Sequence, residues 1–455
     1  MLKKLWHKMV PQKRKLQKKV LHFSDHHIDA GMLSFAAEKV VTRLQQAGYE
    51  AYVVGGAVRD LLLGIEPKDF DVATNATPEE VRKVFRRSRI IGRRFQIVHV
   101  MVGPETIEVT TFRGAGKVQQ NEHGRIMKDN TYGSMEEDAL RRDFTCNALY
   151  YDPVHRQIID FHNGFEDIRA KRLVMIGDAA GRYQEDPVRI LRAVRLSGKL
   201  GFEVSEETLA PIAECAQRLR HEPVARLFDE IMKLLFSGHA RSCLQQFEKL
   251  GVAAEIHPLL DALQRAAKGK QPNIVTLSLK NTDERLRADK SVSVGFVLAA
   301  VLWPDVNHRW QQRQKSGERS VAALNGAISD LREDMEKGWG VPQRFAATMR
   351  EIWVLQPQFD NRRGARPFRL LSQERFRAAY DFLILRVQLG EVDQELVDWW
   401  TVFQHADEVT RQEMASAAGQ PVQQRADQSS DAVGALKKKR RRKPRRKKPV
   451  TPAAE

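Results

Sequence analysis

The stretch VVGGAVRDLLLGIEPKDFDVATNATP, from Val53 to Pro78, gathers a glycine pair, an arginine and two carboxylates. Gly55 and Gly56 follow an apolar, strand-like run; lacking a Cβ, they let the backbone turn tightly and approach a ligand. The helix expected after them offers free N–H groups and a positive dipole end, which suits a phosphate. Arg59 falls in its first turn and can add charge-assisted hydrogen bonds. Asp69 and Asp71 bracket Phe70. On a strand, residues two apart share a face, so the carboxylates converge while Phe70 packs on the other side. Such a pair repels unless a cation sits between its members. Mg2+ is usually held by one or two carboxylates plus substrate phosphates. Two such ions can activate a hydroxyl and stabilise a leaving pyrophosphate. The alternative is a plain turn followed by two solvated aspartates.

Several elements must position these groups. Residues 33–49 have the pattern of an amphipathic helix closed by Gly48. Between 51 and 113, β-rich runs (AYVV, DFDVAT, FQIVHVMV, TIEVTTFR) alternate with helical patterns, which predicts a mixed sheet with helices packed on it. Residues 114–134 are polar and contain glycine, as a mobile loop would. From about residue 185 onward the pattern is helical. Residues 411–436 are rich in Ala, Gln, Asp and Ser and suit a linker. The segment HFSDHH (22–27) has no partner ligands for a metal and suits a flexible entry to the fold.

Composition narrows the setting. The chain has 455 residues, long enough for two or three domains, with 42% hydrophobic and 29% charged residues. No apolar run reaches the roughly 18–20 residues of a membrane helix, and the basic N-terminus lacks the apolar core of a signal peptide. The expected location is cytoplasmic. The three cysteines, Cys146, Cys215 and Cys243, have neither C-x-x-C nor zinc spacing and suit buried, reduced side chains. Net charge is +17, yet residues 1–20 carry eight Lys/Arg and no acid, and KKKRRRKPRRKK (437–448) carries eleven, so the chain between them is close to neutral. Such ends suit unstructured arms. Lys437, Arg440 and Arg445 are then candidates for RNA phosphates, with a solubilising tail as the alternative.

The string VVGGAVRDLLLG…PKDFDVATNATPEEV resembles the class II nucleotidyltransferase family, which comprises the tRNA CCA-adding enzymes and bacterial poly(A) polymerases. The resemblance continues at EEDALRRDFTCNALYYD (136–152) and YQEDPVRILRAVRLSGKLGF (183–202). It implies an α/β nucleotidyltransferase head at 31–182, an all-α neck at 183–240 that recognises the base, and a helical RNA-binding body at 241–410. Flexible basic segments would flank these at 1–30 and 411–455. It implies two Mg2+ ions on Asp69 and Asp71, with Asp143 of the Arg141-Arg142-Asp143 motif completing the site and Arg142 on the nucleotide. Glu108 is a candidate further carboxylate, with Arg113 as its structural or phosphate partner; a solvent-facing glutamate is the alternative.

The Glu-Asp-x-x-Arg motif falls on Glu185, Asp186 and Arg189. Asp186 before Pro187 also reads as a helix N-cap. Asp186 and Arg189, three apart on a helix, share a face. An acceptor beside a donor matches adenine, whose N6 amino group donates and whose N1 accepts, and cytosine in the same order, but not guanine or uracil. Arg192 and Arg195 lie on or near that face, within reach of phosphates.

This pair leaves open whether the product is a poly(A) tail or a CCA end. The segment IIGRRFQIVHV (90–100), with Arg93 and Arg94, resembles that of proteobacterial-type poly(A) polymerases, as does the basic tail. No adjacent His-Asp pair marks an appended phosphohydrolase domain. The implied activity is template-independent addition of AMP from ATP to RNA 3′ ends by a monomer. RNA-decay proteins are candidate partners. CCA addition to tRNA, or RNA binding without catalysis, are the alternatives. In the C-terminal half, LFDEIMKLLFSG (227–238) suits a core helix, as do Trp399, Trp400 and Phe403. Arg362, Arg363, Arg366 and Arg369 beside Phe368 suit single-stranded RNA or a solvated loop.

Overall fold

Eight strands and the helices between them place the chemistry-bearing residues on one face of a mixed sheet. The computed structural model describes residues 18–92, 96–114, 119–120, 126–128, 131–253, 255–336 and 338–418. In chain order the sheet strands are β1 (Lys19–Leu21), β2 (Ala51–Val54), β3 (Asp71–Thr74), β4 (Ser88–Ile91), β5 (Ile97–Val102), β6 (Glu105–Thr111), β7 (Leu149–Asp152) and β8 (Gln157–Asp160). Their spatial order is β1-β8-β7-β2-β3-β6-β5-β4, and every pairing is antiparallel except β3 with β6.

Strand alternation decides which residues face the core. Val53, Val72, Val98, Val100, Ile107 and Val109 point to one side and are buried. Helix α1 (Phe35–Gln46) presents Ala36, Ala37, Val40, Val41 and Leu44 as its buried stripe and packs on β2, β3 and β6. Ser34 caps α1 by accepting the Ala36 and Ala37 N–H groups. On the opposite face, Val54, Ala73, Phe112, Tyr150 and Ile159 pack with Met135 and Ala139.

Helix α2 (Gly56–Leu62) follows β2, and α3 (Pro78–Val84) follows β3. Thr77 and Glu80 form a reciprocal capping box that fixes the start of α3. Helix α4 (Met135–Arg141) opens with the same device on Ser134 and Glu137. Then come α5 (Ala179–Glu185), α6 (Val188–Leu200), α7 (Val224–Leu235) and α8 (Ala240–Lys249). The later helices Val294–Lys315 and Ser320–Glu336 form an antiparallel pair, tied by Arg309 to Asp334 and Arg313 to Asp330.

The chain divides into two compact units, Met1–Glu351 and Ile352–Glu455. The core of the second is Trp400, whose ring meets Phe359, Phe376 and Phe403 edge-on or tilted, and whose Nε1 donates to the Phe359 carbonyl. Among the described residues no helix is long and apolar enough to cross a membrane. The three cysteines are free and buried, as their spacing predicts.

Four expectations need correction. Residues 19–30 are built into the fold rather than forming a flexible entry: β1 pairs with β8, and buried His26 contacts the Arg156 carbonyl and accepts from Ile28 N–H. Within the polar stretch 114–134, Gln119–Gln120 and Ile126–Lys128 pair as a two-stranded ribbon. The last described helix runs from Glu408 to Ala417, into the expected linker. Phe368 is turned into the second unit's core against Phe403, which removes it as an RNA-stacking platform. Arg93, Arg94 and the tail residues Lys437, Arg440 and Arg445 lie outside the described residues.

Gly198 lets α6 and α8 touch. A Cβ there would sit 2.5 Å from Cys243 Cα and 2.7 Å from its amide nitrogen. Backbone cannot yield as a side chain tip does, so Gly198→Ala is expected to lower stability by about 1–3 kcal/mol, the usual range for overpacking. The shift in urea midpoint measures it. A change below about 0.5 kcal/mol, typical of a neutral surface substitution, would show that the two helices separate freely.

Candidate active site

The glycine turn closes against the carboxylates. Gly55 has φ +73°, a region in which a side chain is strained, and it is the N-cap of α2. A Cβ on Gly55 would lie 3.7 Å from Arg142 Nη1 and 3.9 Å from Asp71 Oδ2, so the turn, a guanidinium and a carboxylate share one small volume. Asp71 begins β3, and the parallel register with β6 sets it beside Glu108. Burial first, then the Glu108 charge, push the Asp71 carboxyl up to about 6; Arg142 opposes the shift and Asp69 adds to it. Phe70, between the two aspartates, is buried as expected.

A cleft of about 430 Å³ spreads from this turn. Gly55, Gly56, Asp71, Glu108, Asp143, Arg142, Asp186, Arg189 and Arg192 line it, together with Arg113, Arg141, Asp138, Asn147, Arg226 and Glu230. Asp69, Arg59 and Arg195 are not among the lining residues. Arg142 is clamped by the Asp138 carboxylate at 3.0 Å and the Tyr150 hydroxyl at 3.1 Å. Burial alone would lower its pKa, but Tyr150 and Asp138 outweigh it and keep the guanidinium charged. Asp143 accepts from Arg192 Nε at 2.7 Å, from Phe144 N–H and from Asn147 Nδ2. Burial would raise its carboxyl, yet Arg192 and these donors hold it at about 2.

The expected base-reading pair faces the cleft with each member already engaged. Asp186 Oδ2 accepts from Arg226 Nη2 at 2.7 Å, and its Oδ1 accepts from Val188 N–H at 3.3 Å. Arg189 Nη1 donates to Glu185 and to the Arg182 carbonyl. Sequence reasoning missed Arg226 and Glu230. It read their helix as core, and Leu227, Phe228, Ile231, Leu234 and Leu235 of α7 are indeed buried. The signal was present in the polar stripe: Arg226 and Glu230 stand four apart, on one helix face.

Two arginines are placed behind the cleft. Arg59 donates to Asp60 through Nε and Nη2 and to Asn147 Oδ1 at 2.6 Å through Nη1, in a buried cluster beneath the glycine turn. The Arg59 guanidinium stays beside the turn, 3.4 Å from where a Cβ on Gly56 would sit. Arg195 is half-buried, with its Nε lacking a hydrogen-bond partner among the described residues, and burial followed by Arg192 lowers its pKa. In the second unit, Arg362 pairs with Glu395 and lies over Trp399, Arg366 donates to Asn361, and Arg363 is exposed.

The donor set fits a hard cation. Asp71 with Glu108 and nearby Asp69 is oxygen-only, and burial followed by the Glu108 charge raises the Asp71 carboxyl. Among the described residues no three His, Cys, Asp or Glu side chains converge as a ready-made metal cage. A partial set of carboxylates beside a phosphate cradle is the arrangement Mg2+ uses, since it takes its remaining ligands from substrate phosphate and water.

The placement of Arg59 makes a testable distinction. Arg59→Ala leaves Asp60 with Lys199 at 3.5 Å as its remaining ion-pair partner among the described residues and leaves Asn147 Oδ1 only the weak Cys146 Sγ donor. The expected destabilisation is about 3–5 kcal/mol, as for breaking a buried pair, read by chemical denaturation. An unchanged stability with a raised KM for ATP would instead put Arg59 on the phosphates.

Comparison with known proteins agrees with this geometry. Residues 51–174 match the poly A polymerase head domain family, residues 201–264 the probable RNA and SrmB-binding site of polymerase A, and residues 316–447 the polymerase A arginine-rich C-terminus. Poly(A) polymerase I of Escherichia coli O6:H1 is 43% identical over 403 residues, 85% of each chain. A CCA-adding enzyme of Lactobacillus helveticus is 39% identical over 214 residues, 46% of this chain and 52% of that one. Among solved structures, the CCA-adding enzyme of Bacillus stearothermophilus in complex with CTP has a TM-score of 0.52 at 25% identity, covering 88% of both chains. The nucleotidyltransferase fold is thus shared with CCA-adding enzymes, while the likeness that runs the length of the chain is to the tail-adding enzymes: the chain belongs to the bacterial poly(A) polymerase I family and is a polynucleotide adenylyltransferase.

Proposed function

We propose that Asp69, Asp71 and Asp143 form the catalytic centre of this polymerase and that the chain extends RNA 3′ ends with AMP from ATP. The observation that supports this most directly is the closeness of the glycine turn to the Asp71 carboxylate, whose Oδ2 would lie 3.9 Å from a Cβ on Gly55. In the reaction the RNA 3′-oxygen attacks the ATP α-phosphorus, the bond to the bridging oxygen breaks, and pyrophosphate leaves with the electron pair. Two Mg2+ ions on Asp69 and Asp71 would supply charge stabilisation for the attacking and leaving oxygens. The Gly55–Gly56 turn and the N–H groups opening α2 cradle the triphosphate. Arg142, held rigid by Asp138 and Tyr150, faces the same space. Asp143, kept ionised by Arg192, orients the nucleotide.

Base choice falls to Asp186 and Arg189. Each Asp186 oxygen has one donor and retains a lone pair for the adenine N6 amino group. Arg189 Nη2 makes no hydrogen bond among the described residues and is available to N1. Arg192 and Arg195, on or near the same helix face, are assigned to the nucleotide phosphates. RNA-binding roles are assigned to Arg93, Arg94, Arg362, Arg363, Arg366 and the 437–448 tail. The setting proposed is the cytoplasm, with the enzyme acting as a monomer.

The test uses purified protein, Mg2+, an unstructured RNA and each NTP separately, then a tRNA lacking its CCA end. Long ladders with ATP alone are expected. Addition that stops after C-C-A on the tRNA would overturn the tailing assignment. Asp71→Ala is expected to reduce incorporation at least a hundredfold as its charge stabilisation disappears, on the order of 10²–10³; near-normal incorporation would overturn the metal assignment. Arg189→Ala should impair ATP use and blur discrimination against GTP and UTP. An equal fall with all four nucleotides and a lower Tm would leave it a helix-capping role.

The tail gives an independent measurement. Truncation after Leu436 removes eleven cations. It should raise KM for RNA and flatten the log–log salt slope by roughly 0.7 for each phosphate that the tail neutralises. Unchanged slope and affinity would make the tail a solubiliser.

A further inference from the structure

One row of side chains crosses the sheet beyond the catalytic carboxylates. Register sets Val54 opposite Asp71, Asp71 beside Glu108, Glu108 opposite His99, and His99 opposite Arg89. Directly opposed residues share a face, so Asp71, Glu108, His99 and Arg89 run as a line from the glycine turn to the outer strand β4. With strands about 4.8 Å apart, His99 stands roughly 10 Å and Arg89 roughly 14 Å from Asp71 along this line.

We infer that this outer half of the sheet face, over β6, β5 and β4, is the track for the last nucleotides of the acceptor RNA, with His99 and Arg89 contacting its phosphates or ribose. The inference rests on the reading of Asp69 and Asp71 as the catalytic carboxylates. Phosphoryl transfer places the attacking and leaving oxygens roughly in line. The triphosphate cradle lies at the β2 end of the row, so the leaving pyrophosphate lies there too. The attacking 3′-oxygen must then come from the other side of Asp71, over Glu108, and the RNA behind it passes over His99 and Arg89.

The side chains along the row have the chemistry for it. His99 Nε2 is buried 3.3 Å from Glu108 Oε1, while 32% of the side chain is exposed, so the rest of the ring lies open on this face. Arg89 is exposed and forms no ion pair among the described residues, unlike Arg142, Arg189, Arg192 and Arg226, which all have carboxylate partners. Met101, two residues past His99 and therefore on the same face, is 39% exposed. It offers a base an apolar surface where the sheet would otherwise leave a large hydrophobe in water. A cation, an imidazole donor and an apolar platform on one open face suit a single strand whose bases stack and whose phosphates need charge.

The test uses full-length protein and an RNA ending in 4-thiouridine, photo-crosslinked in the presence of a non-hydrolysable ATP analogue. The expected product maps to β6 and β5, within residues 97–111; a crosslink confined to other segments would overturn the inference. In steady state, Arg89→Ala should raise KM for RNA at least fivefold and leave KM for ATP as it was, with Arg89→Lys restoring most of the effect. Arg89 is solvent-exposed, so the fold should survive either change. A KM for RNA within twofold of wild type in Arg89→Ala would also overturn the inference. Asp71→Ala separates the two levels. Retained incorporation there would remove the catalytic reading itself. Abolished incorporation there, with no effect of Arg89→Ala, would remove the RNA track alone.

Discussion

Strands β3 and β6 run parallel, and their register forces Asp71 beside Glu108. At a strand spacing of about 5 Å and an effective dielectric near 20, two such charges repel by on the order of 3 kcal/mol. The fold holds them together because the reverse face of the same strands is a continuous apolar layer. Val72, Val98, Val100, Ile107 and Val109 are each buried, and each contributes about 1.5–3 kcal/mol. Several such side chains outweigh one repulsion. Burial first, and the Glu108 charge second, raise the Asp71 carboxyl to about 6.

Around this pair the cleft is organised as opposite charges already in contact. Arg142 meets Asp138, Arg192 meets Asp143, Arg226 meets Asp186 and Arg189 meets Glu185. Each guanidinium is thereby fixed before a ligand arrives, which reduces the ordering required on binding. The same pairs join separate elements. Asp143, just past α4, is gripped from α6, and Asp186 between α5 and α6 is gripped from α7. Asp143 and Asp186 are consequently positioned by contacts between helices rather than by loops alone.

This organisation explains why fold and site do not by themselves separate tail addition from CCA addition. On the proposed reading of Asp186 and Arg189, adenine and cytosine present their donor and acceptor in the same order. What distinguishes this chain is the extent of its likeness: 85% of it aligns with a poly(A) polymerase I, against 46% with a CCA-adding enzyme. The inferred acceptor track lies over the outer strands β5 and β4, where exposed Arg89 forms no ion pair among the described residues.

The sequence by itself determined the local chemistry: the glycine turn, Asp71 on a strand with Phe70 turned inward, the β-rich runs, the buried cysteines and the family motifs; Asp69 precedes that strand and does not line the cleft. Each depends on spacing within a few residues, which a period of two or 3.6 makes legible. Tertiary structure alone decided the partners. Glu108 became a neighbour of Asp71 only through a parallel pairing across thirty-odd residues. Arg59, in the helix after the glycines, was tied to Asp60 and to Asn147, the latter 88 positions away. Arg226 entered the site because the apolar stripe of α7 must face the core, which leaves its polar stripe to the cleft. Long-range pairing and burial set these contacts, and neither has a signature in local sequence.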